Sequence, residues 1–93
     1  DVALDLGTLA LEHGAAAEAV RWLRIAVEQA PNRGETHEAL GLAIFLNGDP
    51  LAARPYLERA TRLDPGSASA HLNLAAVYAE LGRFAEARTA VLE

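Results

Sequence analysis

Apolar positions along this chain fall into blocks of roughly a dozen residues, each ended by a break containing Gly or Pro. The first block, residues 2–13, carries Val2, Leu4, Leu6, Leu9, Ala10 and Leu11. Leu6, Gly7 and Ala10 form one stripe at helical spacing, and Leu4, Thr8 and Leu11 form a second. A helix with two apolar stripes is contacted from two sides, or contacted on one and open to a partner on the other. His13-Gly14 ends the block, with Gly14 in the place of a left-handed cap. The next block, Ala16 to Ala30, is one-sided. Ala19, Val20, Leu23, Ala26, Val27 and Ala30 share a face, while Glu18, Arg21, Arg24 and Glu28 occupy the other. Glu18 and Arg21 are spaced to pair at i, i+3.

After Pro31-Asn32-Arg33-Gly34 the script repeats. A helix is expected from Glu35 to Asn47, with His37, Leu40, Gly41 and Ile44 on its inner stripe and Leu42, Phe45 and Leu46 on the second. Asn47-Gly48 stops it. Asp49 then caps a helix from Pro50 to Leu63, with Pro50 at the first position, where a missing N–H costs nothing. Pro55 removes the backbone hydrogen bond to Leu51 and predicts a slight kink or a loose first turn. Glu58 and Arg62 are spaced to pair at i, i+4. Asp64-Pro65-Gly66 and a capping Ser67 lead into a helix from Ala68 to Leu81. His71, Leu74, Ala75 and Tyr78 repeat the inner stripe there, and Leu72, Ala76 and Ala79 the second. Gly82 breaks again, and Phe84, Ala87 and Val91 begin a sixth helix that the chain end cuts short.

Sliding the sequence by 34 residues superposes these blocks without a gap. Leu6, Leu40 and Leu74 coincide, followed by Gly7, Gly41 and Ala75, and Gly14, Gly48 and Gly82 mark the turns. Ala19 matches Ala53 and Ala87, Leu23 matches Leu57 and Val91, Ala26 matches Ala60, and Pro31 matches Pro65. Small residues sit where paired helices cross closely, and glycine and proline separate the helices. A 34-residue unit with this Leu-Gly, Ala and Pro punctuation closely resembles the tetratricopeptide repeat along the whole chain. Two departures stand out. The family's large aromatic near the start of each unit is replaced by Ala3, His37 and His71, and Ala75 takes the place of the glycine in the third unit.

The resemblance implies an all-α fold, an α-solenoid of three antiparallel helix pairs wound as a right-handed superhelix. Its repeats would span about 1–33, 34–67 and 68–93, the last truncated, in a single domain. The first helix of each pair would line a concave groove, in agreement with the second apolar stripe on those helices. The implied groove is Leu4, Thr8, Leu11, Leu42, Phe45, Leu46, Leu72, Asn73 and Ala76, continuing to Ala79. Asp5, Glu12, Glu35, Glu38 and Glu80 would fringe it. Leu42, Phe45 and Leu46 are its most apolar part.

Composition narrows the partner. Ninety-three residues suit one domain, and 52% are hydrophobic, though alanine supplies 21 of those positions. The net charge is −5, from 13 acids against eight arginines and no lysine. Binding to a phosphate backbone needs many cationic contacts, so nucleic acid is disfavoured. No apolar run reaches membrane-spanning length. The absence of cysteine excludes disulfides and leaves the compartment open, the cytoplasm being slightly favoured. A start at Asp1 and an end inside a helical pattern read as a segment of a longer chain. Without polar capping helices, Val2, Leu9, Phe84 and Val91 would be partly bare, which suggests further repeats or end-to-end self-association.

No residue constellation carries chemistry. His37 and His71 are equivalent, but a metal site would need a third ligand, and none is placed for it; packing at the helix interface is the simpler reading. His13 is read as a helix C-terminal residue favouring the dipole. The few hydroxyls lie in no nucleophile motif, the glycines are turn residues, and no cofactor loop is present. Trp22 and Tyr56 are read as partial core. A clamp for a peptide's terminal carboxylate is missing, since Leu4, Thr8, Ala39 and Asn73 stand where basic and amide groups would be needed. The expected function is a non-enzymatic scaffold that binds a protein or peptide in an apolar groove. The alternative is a non-catalytic regulatory or substrate-positioning segment of a larger enzyme.

Overall fold

The computed structural model describes residues 1–82 together with Thr89 and Leu92. Among them are five helices: α1 (Val2–Glu12), α2 (Ala16–Gln29), α3 (Gly34–Leu46), α4 (Pro50–Leu63) and α5 (Ala68–Glu80). No described residue lies in a strand. Each boundary falls within a single residue of the one expected from the sequence. The expected sixth helix, begun by Phe84, Ala87 and Val91, lies outside the described residues.

Local chemistry accounts for these boundaries. The Asp1 carboxylate accepts from the backbone N–H groups of Ala3 (3.0 Å) and Leu4 (3.3 Å). Asp49 accepts from Ala52 (3.1 Å), and the Ser67 hydroxyl from Ala70 (3.2 Å). Each satisfies orphan donors of a first turn, worth about 1 kcal/mol. At the opposite ends, Gly14 (φ 74°) and Gly48 (φ 94°) take the left-handed conformation that glycine adopts without a Cβ penalty. Ala15 N–H then reaches back to Ala10 (2.8 Å), and Asp49 N–H to Ile44 (3.2 Å), closing the helix with its last carbonyls paired. These tight reversals fold α1 against α2 and α3 against α4.

Pro55 does not interrupt α4, which runs unbroken from Pro50 to Leu63. The expected pairing of Glu58 with Arg62 is not found. Glu58 instead accepts from the Tyr78 hydroxyl at 2.7 Å, tying α4 to α5. A bond between helices wins here because the partly buried phenol needs an acceptor, whereas an exposed Arg62 is well solvated.

The core runs the length of the chain. Leu23, Leu40, Leu57 and Val77 are its largest fully buried apolar side chains, with Ala19, Ala26, Ala43 and Ala53 sealed among them. Trp22 and Tyr56 pack against it half-buried, as expected. Two polar residues are buried with it. Thr36 donates to the Arg33 carbonyl at 2.9 Å. His37 donates from Nε2 to the Pro31 carbonyl at 2.7 Å, and its ring lies 6.2 Å from that of Tyr56. Successive helices pack in order, α1 on α2, α2 on α3, α3 on α4 and α4 on α5. In addition α3 touches both α1 and α5, whereas α2 and α4 make no contact with each other. The first helices thus form one connected layer, while α2 and α4 each pack against two successive first helices without touching one another.

Candidate protein-interaction surface

The side chains expected to line a groove all sit on α1, α3 and α5, but they differ in exposure. Thr8, Leu46, Leu72 and Ala76 are exposed; Leu11, Leu42, Phe45 and Asn73 are half-buried; Leu4 is buried in the core. Ala79 is exposed too. Leu11 and Phe45 pack against the core cluster, so part of the second apolar stripe supports the fold itself. Leu46 and Leu72 are the most open large apolar side chains of the layer's middle and last helices, at 57% and 60% exposure.

Between α1 and α3 the layer dips into a depression of about 620 Å³. Leu4 and Ala39 lie in its wall with Leu9 and Thr8, and Asp5, Glu12 and Glu35 stand around it. Arg33 at its edge is held by Glu35 in a 2.8 Å ion pair. Leu9 was expected at an exposed end, not as part of the groove. It lines this depression together with Arg33 and Glu35.

Further along, the space between α3 and α5 is bridged by polar groups. Glu38 accepts from Ser69 (2.8 Å), Ser67 (3.3 Å) and Asn73 (3.4 Å). Asn73, expected as groove lining, therefore holds two units in register through Glu38. The serines carried no signal for this role beyond Ser67's place as a cap. A carboxylate with several donors is strongly anchored, so Glu38 is less available to a partner than the other acids of the layer.

The histidines take matching roles. His71 donates from Nε2 to the Pro65 carbonyl at 3.0 Å, as His37 does to Pro31. Each ring fills the start of a unit and fastens it to the proline that ends the unit before. No group of three potential metal ligands occurs among the described residues. His13 bonds the Leu9 carbonyl at 2.9 Å and so caps α1, in agreement with its expected place at that helix end. No helix among the described residues is long and apolar enough to cross a membrane.

A 34-residue helical hairpin with these crossings defines a class, the helical repeat protein. The tetratricopeptide repeat family model matches residues 45–93, slightly more than half of the chain, and the chain belongs to that family. Among solved structures, a crystal structure of MamA superposes with a TM-score of 0.90 and is 30% identical, over 95% of this chain and 52% of that one. A second, described as MamA MSR-1 C2, superposes with a TM-score of 0.88 at 26% identity, over 97% of this chain and 52% of its own. The chain thus spans about half the length of the solved structures it matches. No curated protein matches it. The family is typically a non-catalytic interaction module, and the all-α architecture expected from the sequence is the one found. Family and fold together support a protein-interaction scaffold.

Proposed function

We propose that the α1–α3–α5 face is the concave side of a right-handed solenoid and binds an extended or helical segment of a partner protein. The observation that carries this reading is the exposure of Leu46 and Leu72 on the layer whose helices touch one another. Fully burying a Leu side chain is worth about 1.5–3 kcal/mol, so two bare leucines on one face leave a substantial driving force for association. An amphipathic helix laid into such a groove would present anchors at i, i+3 or i+4 to these positions. Leu42, Phe45 and Ala76 on the same two helices add to this surface, and Thr8 extends it onto α1.

The test is a selection of peptide binders from a displayed library, followed by rebinding to Leu46→Glu and Leu72→Glu. Loss of binding by both folded variants is expected. Peptides that bind the variants as well as the parent would place the interaction elsewhere.

Self-association is a second reading, favoured by Val2 and Leu9. They are 74% and 50% exposed, while the residues at the same register in the next unit, Thr36 and Ala43, are both at 0%. The N-terminal face of α1 is thus chemically a stacking face without a neighbour among the described residues, and a second copy of the chain would cover it.

A further inference from the structure

Charge divides between the two sets of helices. The layer helices α1, α3 and α5 hold five acids, Asp5, Glu12, Glu35, Glu38 and Glu80, and neither Lys nor Arg. The second helices α2 and α4 hold five arginines, Arg21, Arg24, Arg54, Arg59 and Arg62, against Glu18, Glu28 and Glu58. Among the described helices the acids therefore dominate the first helices, and Asp5, Glu12 and Glu35 of these line the depression. Within that depression the charges are not equally committed. The Asp1 carboxylate caps α1 and Glu35 holds Arg33, while Glu38, outside the depression, is taken by Ser67, Ser69 and Asn73 between α3 and α5. The side chains of Asp5 and Glu12 make no hydrogen bond or ion pair among the described residues, and both are exposed. They stand seven residues apart on one side of α1, about 10 Å along its axis, with Thr8 and Leu9 between them.

We infer that the depression between α1 and α3 takes a basic segment of a partner protein, one that sets an apolar side chain beside Leu4, Leu9 and Ala39 and Arg or Lys side chains against Asp5 and Glu12. This rests on the reading of the layer as the binding face and adds the chemistry of its occupant. An acidic or carboxylate-terminated peptide would meet unpaired like charge at the rim, with Arg33 already held by Glu35. Like-charge juxtaposition penalises wrong partners, and rim charges act mainly through association rate and salt dependence. The two spare carboxylates match two cations at one or two helical turns' spacing on a bound helix, or a few residues apart on an extended strand.

The experiment compares three synthetic amphipathic peptides with one apolar stripe and differing flanks, Arg, Gln or Glu. Each is titrated with the chain by fluorescence anisotropy at low salt and at 1 M NaCl. The Arg peptide should bind about fivefold tighter than the Gln peptide at low salt, as expected for two exposed ion pairs, and the advantage should vanish at high salt, where the screening length is about 3 Å. Asp5→Asn with Glu12→Gln should remove most of that advantage, with an unchanged thermal midpoint. Glu28→Gln, on α2, should leave it intact. Equal binding of all three peptides would overturn the charge assignment and keep the groove. Failure of all three to bind would overturn the groove reading itself. Equal weakening by Glu28→Gln and by the double variant would show attraction to net charge alone, and would overturn the site.

Discussion

Gly41 and Leu57 lie so close across the α3–α4 crossing that a Cβ on Gly41 would stand 2.6 Å from Leu57 Cγ and 3.3 Å from the Leu57 backbone nitrogen. The side chain of Leu57 could swing away from such a group, but its backbone could not, and Leu57 is fully buried. At the α1–α2 crossing Gly7 lies equally close to Leu23, but there only side-chain atoms stand in the way. Glycine at these two positions sets how near the paired helices approach, and hence how far the layer's face is held from the second helices.

Gly41→Ala should therefore destabilise the chain. Alanine adds about 1 kcal/mol of helix propensity, but overpacking a tight crossing typically costs about 1–3 kcal/mol. A net loss of about 1 kcal/mol is expected, read as a lower urea midpoint with an unchanged slope. A raised midpoint would mean that the crossing yields.

The two equivalent histidines should not be equally important. His37 is buried with its ring tilted toward that of Tyr56, and its Nδ1 has no hydrogen-bond partner among the described residues, whereas His71 is half-exposed. His37→Ala removes a buried ring and a 2.7 Å bond and should cost about 2–3 kcal/mol. His71→Ala should cost under about 1 kcal/mol. Thermal unfolding of both variants decides it, and equal losses would contradict the burial argument.

The bond from Tyr78 to Glu58 joins two units through a charged acceptor. Tyr78→Phe should lower stability by about 1–2 kcal/mol. In a double-mutant cycle with Glu58→Ala, which removes the acceptor, a coupling energy of about 1 kcal/mol is expected. A coupling near zero would show that the two side chains act independently.

Leu46→Glu and Leu72→Glu, placed on exposed positions, should each change stability by no more than about 0.5 kcal/mol. Phe45→Glu, by contrast, puts a charge into the half-buried edge of the core and should cost several times as much. Urea unfolding of the three variants tests this separation of surface from support. It also identifies which substitutions report on binding without unfolding the chain.

End-to-end association predicts a concentration-dependent mass by light scattering, abolished by Val2→Asp with Leu9→Asp. A constant monomer mass across the accessible range would remove that reading.

Much of this architecture was legible in the sequence. Gly14, Gly48, Asp49, Pro50 and Ser67 act through neighbours a few residues away, so their roles as breaks and caps follow from local chemistry alone. The proposed interaction face was less legible. Leu4 reads like Thr8 and Leu11 in a periodic pattern, yet it is sunk in the core, and Asn73 serves Glu38 rather than lying open. Which carboxylates remain unpaired was equally hidden, because Glu38 finds its donors on a helix some thirty residues away.

Register by itself fixed that positions 2, 36 and 70 share one place in the unit, as do 9, 43 and 77. It could not tell their fates apart. Thr36, Ala43, Ala70 and Val77 are sealed at 0–1% exposure beneath the second helix of the unit before, while Val2 and Leu9, with no such helix described beside them, stay open. Periodicity states which side chains share a face. Only a neighbouring helix removes that face from water, and only the tertiary structure shows where the neighbour is.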